Sequence, residues 1–174
     1  FKMKWFISDT HFSHKNIISY TGRPFGSVEE MDQALINNWN ACIDEEDQVF
    51  FLGDFGLGNI EHLQGIYSRL KGNKICIRGN HDKNANWLMR IGFPFVVESA
   101  FIKIRSHLVE LIHIPTNPPP AHFQLHGHVH EKRPCKILSN QLNLCVEVWG
   151  YKPVAETTIL SLLDKASKAD QAID

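Results

Sequence analysis

The sequence predicts an α/β fold, on two observations. In the first half, short apolar runs each stop at a polar loop, and segments of helical spacing fill the intervals between them. In the second half, strand-favouring runs follow one another with only loops between.

Lys4-Trp5-Phe6-Ile7-Ser8 is the first run and stops at Asp9. Gln48 to Leu52 repeats the pattern and stops at Gly53-Asp54. Lys74 to Ile77 repeats it again ahead of Gly79-Asn80-His81-Asp82. Each reads as a buried strand followed by a polar loop. Ser27-Val28-Glu29-Glu30 has the form of a capping box, and Met31, Leu35, Ile36 and Trp39 follow it at helical spacing. Ile60, Leu63, Ile66, Tyr67 and Leu70 mark a second helix over 59–70, and residues 84–91 a short third. Phe95 to Glu98, Phe101 to Arg105, Leu108 to Ile114, Phe123 to Leu125 and Leu142 to Trp149 favour strands, with a hairpin turn expected at Ser106-His107. Pro118-Pro119-Pro120 marks a loop, because proline has no N–H to give a ladder. Ala155 to Ala172 reads as a closing helix.

A length of 174 residues predicts a single domain spanning 1–174. Lys plus Arg number 18 and Asp plus Glu 19, a net charge of −1, which argues against a protein held to nucleic acid by bulk positive charge. No apolar run approaches the roughly 18 residues of a membrane span, and no basic segment leads into an apolar one as in a signal peptide. Cys42, Cys76, Cys135 and Cys145 form no Cys-x-x-Cys pair, so a reducing, cytoplasmic setting is expected, with Cys76 and Cys145 acting as small buried hydrophobes.

The informative feature is where Asp, Asn and His fall. Asp9 and His11 follow the first strand, Asp54 the second, Asn80 and His81 the third. His113 ends the Leu108–Ile114 run, and His128 and His130 follow Phe123–Leu125. Loops at strand ends are where an α/β sheet gathers its ligands. Taken singly, each is a common turn former. Jointly they form a set of hard and borderline donors suited to Mn, Fe or Zn, and no cysteine joins them. Gly53, Gly79 and Gly127 beside them permit close backbone approach.

The motifs Asp9-Thr10-His11, Gly53-Asp54, Gly79-Asn80-His81-Asp82, Ile112-His113-Ile114-Pro115 and Gly127-His128-Val129-His130 resemble, in order, those of the calcineurin-like metallophosphoesterases. Ser8 to Ile17, with Arg23-Pro24-Phe25, is similar to a small bacterial and phage branch. The resemblance implies two β-sheets packed face to face with helices outside. It implies two divalent metal ions, Mn foremost and Fe or Zn as alternatives: Asp9, His11 and His130 on one, Asn80, His113 and His128 on the other, Asp54 bridging. It further implies hydrolysis of a phosphodiester or phosphomonoester, a nucleotide or cyclic nucleotide among the candidates, by in-line attack of a hydroxide shared by the metals. His81 would stand by the leaving group as a catalytic residue. Asp82 would accept from its other ring nitrogen, or else only cap a turn.

The expected partner is a small phosphoester, without stable nucleic-acid binding and without a membrane. Alternatives are a small nuclease or RNA-end phosphodiesterase, and a non-catalytic scaffold on the same fold. His14 and Arg23 are further candidates for binding substrate: His14 three residues after His11, Arg23 as a fork for a phosphate oxygen unless it pairs with a carboxylate. His126 reads as a packing residue.

Overall fold

A computed structural model describes residues 2–171. Strands β1 (Lys4–Ile7), β2 (Gln48–Phe51), β3 (Asn73–Ile77) and β4 (Phe95–Val97) form a parallel set. The short β9 (Val154–Ala155) adds antiparallel to β1, giving the order β4-β3-β2-β1-β9. Strands β5 (Ser99–Ile104), β6 (His107–Ile112), β7 (Phe123–His126) and β8 (Gln141–Asn143) form the second sheet in that order, the first pair antiparallel and the rest parallel.

Strand alternation sorts the apolar residues onto two faces. Ile7, Val49, Phe51 and Cys76 join Met31, Leu35 and Trp39 of α2 (Val28–Cys42), Leu63 of α3 (Ile60–Ser68, following the short α1, Ile17–Tyr20) and Leu88 of α4 (Ala85–Ile91). Phe6, Phe50, Leu52 and Ile77 meet Ile104, Val109, Leu111, Leu125 and Leu142 of the second sheet, with Ile159 and Leu163 of α5 (Glu156–Gln171). The sheets therefore pack face to face with helices flanking, as expected. Each buried side chain of this size contributes about 1.5–3 kcal/mol.

The predicted cap at Ser27 is in place: Ser27 Oγ accepts from the Glu30 N–H at 3.1 Å. Asn84 caps the short third helix in the same way, its Oδ1 accepting from the Trp87 N–H at 2.8 Å. Glu30 reaches back to the N–H of Gly26, one residue before the cap.

Several boundaries differ. The hairpin turns at Arg105-Ser106, and His107 already belongs to β6. The closing helix begins at Glu156, after β9, and Ala172 lies outside the described residues.

The largest difference is at 142–149: only Gln141–Asn143 is strand, and Val146–Trp149 is a 3-10 turn. The chain there changes partners. Leu144 N–H donates to His126 O at 2.8 Å, Ser8 N–H donates to Leu144 O at 3.1 Å, and Val146 N–H donates to Ser8 O at 3.2 Å. That crossing stitches the end of β7 to the end of β1.

Candidate metal centre

Asp9 and His11 follow β1, Asp54 follows β2 and Asn80 follows β3, and these strands are parallel and so present their C-terminal ends at one edge. His113 follows β6, and His128 and His130 follow β7. The stitched edge brings all seven together as a row of alternating oxygens and nitrogens. Asp9 Oδ1 lies 3.7 Å from His130 Nε2 and 3.7 Å from His11 Nε2. His11 Nε2 lies 3.6 Å from Asp54 Oδ2, which is 3.2 Å from His113 Nε2. Asn80 Oδ1 then lies 2.9 Å from His113 Nε2 and 2.7 Å from His128 Nδ1. Asp54 Oδ2 is the atom shared by both halves of the row.

Asp9 Oδ1, His11 Nε2 and Asp54 Oδ2 are buried and have no hydrogen-bond partner. Buried polar atoms are almost always satisfied, so three orphans facing one another call for a missing partner. A cation fits. Ligand atoms about 2.1 Å from a common ion at a tetrahedral angle are roughly 3.4 Å apart, and the spacings of 3.6–3.7 Å are close to that. The donors of this trio all lie within 4.8 Å of one another.

The backbone is strained here. Asp9, His11, Asp54, His128 and His130 all take positive φ, between 49° and 71°. Left-handed non-glycine residues are uncommon and cluster at functional sites. At Gly127 a side chain would strike Ser8 and the Asp9 carboxylate, and at Gly79 the Asp54 carboxylate and N–H.

Electrostatics tighten the same row. Burial pushes the Asp9 carboxyl up, but the neighbouring His11 imidazole and the fields of His113 and His130 override this and hold it well below the usual range. Burial disfavours the charged His113, yet the Asp54 carboxylate beside it and the Asp9 charge raise its pKa to about 9.

A family model described as Calcineurin-like phosphoesterase matches residues 4–156. The chain belongs to the calcineurin-like phosphoesterase family. It is 37% identical over 171 residues to an uncharacterized protein of Methanocaldococcus jannaschii, covering 92% of this chain and 91% of that one. It is 36% identical over 184 residues to the Gene 66 protein of Mycobacterium phage L5, covering 84% and 87%. Among solved structures, a protein of unknown function from Aquifex aeolicus superposes with a TM-score of 0.78 at 28% identity, covering 93% of this chain and all (100%) of that one.

Around this calcineurin-like phosphoesterase centre, each of three histidines has its far nitrogen held. His113 Nδ1 lies 2.7 Å from Leu52 O, His130 Nδ1 lies 2.9 Å from Glu147 Oε1, and His11 Nδ1 lies 3.3 Å from His14 Nδ1. Such outer partners fix ring orientation and tautomer.

Three expectations need correction. Asp82 does not accept from the His81 ring. Its carboxylate takes the N–H groups of Asp54, Phe55 and Gly79 at 2.9, 3.0 and 2.8 Å, locking the second and third motif loops together. Arg23 faces no substrate space: its side chain is 0% exposed and pairs with Glu147 at 2.7 Å. Cys145 is more than an apolar filler. Its Sγ lies 3.2 Å from Asp9 Oδ2 and 3.2 Å from the His130 N–H.

Glu147 was not legible as a site residue. It lies inside the run that reads as one strand, and only the 3-10 turn aims it at His130. His126 is buried, its ring packed 2.8 Å from Gly127 O, and burial lowers its pKa to about 4.

His81 stands at the mouth of this phosphoesterase site. Its ring centroid is 5.5 Å from that of His11, and its backbone N–H donates to Asp54 Oδ1 at 2.8 Å. Two cavities flank the row. One, of about 210 Å³, is bounded by His11, His81, His130, His14, Tyr20 and Lys132. The other, of about 300 Å³, is bounded by Asn80, His113, Arg78, Glu98, Ser99 and Ile114. No helix among the described residues is long and apolar enough to cross a membrane.

Proposed function

We propose that this protein is a dinuclear metal-dependent phosphoesterase. The observation that carries the reading is the trio of buried, partnerless atoms on Asp9, His11 and Asp54. Asp9, His11 and His130 would hold one divalent cation, Asn80, His113 and His128 the other, and Asp54 both. The oxygen and imidazole donors suit Mn, Fe or Zn. Bound there, the cations would supply Lewis acidity toward the phosphoryl oxygens and a nucleophile ionised near neutral pH.

The chain's own groups do the rest. Asp54 offsets the repulsion between two dications. The neutral Asn80 leaves excess positive charge for an anionic substrate. His81, exposed beside His11, hands a proton to the oxygen that leaves phosphorus. His14, held against His11, borders the cavity that Lys132 and Tyr20 also line.

The substrate class we favour is a phosphodiester. A monoester has a single organic arm, whereas cavities open on both the His11–His130 side and the Asn80–His113 side. The exposed Tyr20 ring offers a face for a nucleoside-like arm. The experiment is a comparison of bis-p-nitrophenyl phosphate with p-nitrophenyl phosphate, each with added Mn. Faster turnover of the diester is expected. Equal or faster turnover of the monoester contradicts the substrate class, and no turnover of either contradicts the activity.

A further inference from the structure

We propose that Glu147 is the positioning residue of the first cation position, with Arg23 as the strut that holds it there. This rests on the reading that Asp9, His11 and His130 hold a cation.

Glu147 is 3% exposed in its side chain, and Oε1 alone does its work. That oxygen accepts from Arg23 Nε at 3.1 Å and Nη2 at 2.7 Å, and lies 2.9 Å from His130 Nδ1. Oε2 has no partner. A carboxylate present only to neutralise Arg23 would be expected to use both oxygens on the guanidinium fork. Here one oxygen is shared between the arginine and the imidazole, and the other is left unsatisfied.

The Arg23 guanidinium extends the link to the first motif. Nη2 donates to Asp9 O at 2.7 Å and Nη1 donates to Thr10 O at 2.8 Å. These carbonyls belong to Asp9 itself and to the residue between Asp9 and His11, in a backbone held at positive φ on either side. One ion pair thus fixes the strained loop that carries Asp9 and His11 and the ring of His130, which arrives from the other sheet. With Nδ1–H committed to Glu147, His130 turns Nε2 toward Asp9 Oδ1, 3.7 Å away. The pair is neutral overall, so it orders the donors without adding charge. The His113 and His128 side of the row has no such clamp among the described residues: His113 is held by a backbone carbonyl.

The test is Mn²⁺ titration of metal-free protein, followed by the electron paramagnetic resonance of free Mn²⁺. Wild type, Glu147→Gln and the double variant Arg23→Met with Glu147→Ala are compared; the double variant leaves neither charge buried alone. One of two binding steps should weaken by about 10–100-fold in the double variant, less in Glu147→Gln, with the other step unchanged. In zinc-loaded wild type, the His130 Nδ1 proton should give a slowly exchanging ring N–H signal that the double variant loses. Unchanged binding and an unchanged ring signal overturn the proposal. So does equal weakening of both steps in parallel with a lower melting temperature, which marks a purely structural pair. Wild type that binds no Mn²⁺ overturns the cation reading instead.

Discussion

His11 Nε2 lies 3.6 Å from Asp54 Oδ2, and both atoms are buried without a hydrogen-bond partner. The separation is too long for a hydrogen bond and suits two ligands of one ion. Asp54 Oδ2 is at the same time 3.2 Å from His113 Nε2, so removing this carboxylate should empty both halves of the row. Asp54→Ala is expected to lose both metals and all activity together, measured as metal per chain by mass spectrometry after dialysis. A variant that keeps two metals contradicts the shared role.

His81→Ala should separate binding from turnover. The ring belongs to the rim of the site, and the contact from this residue to Asp54 is made by its backbone, which alanine retains. Metal content should match wild type, while kcat falls roughly 10²–10⁴-fold, as for a lost proton donor. A fall in metal content would make His81 a ligand.

Asp82→Ala should behave differently from its neighbour. It strips the acceptor from three buried N–H groups, each costing about 1–3 kcal/mol when left unsatisfied. Urea unfolding should show a loss of about 3 kcal/mol or more, with metal binding weakened as the two loops separate. Full stability with reduced kcat alone would restore Asp82 to a role beside His81.

Gly127→Ala should lower metal content without touching a donor atom. The added methyl would meet Ser8 Oγ and the Asp9 carboxylate, and Asp9 has no room to yield because Ser8, His128 and Cys145 already surround its Oδ2. Metal per chain is the readout, and wild-type occupancy would contradict the close approach.

The ends of β1, β2 and β3 were legible because their apolar runs lead into loops that carry Asp9, Asp54 and Asn80, and β-strands buried on both faces read as unbroken apolar runs. The row of seven donors followed from the motifs. What the sequence concealed depends on partners distant along the chain. Cys145 and Glu147 lie where hydrogen bonding switches from His126 to Ser8, and an apolar run carries no mark of that switch. Arg23 could equally meet a phosphate or a carboxylate, and only the fold supplies Glu147. Asp82 follows His81 directly, so adjacency suggested a contact, but the chain turns its carboxylate inward to three N–H groups.

On the dinuclear proposal, seven side chains from both sheets hold a pair of cations. The most direct measurement is anomalous diffraction at the manganese edge from crystals grown with Mn²⁺. Two peaks are predicted, one among Asp9, His11, His130 and Asp54, the other among Asp54, Asn80, His113 and His128. Density at that wavelength with no peak among these residues would contradict it.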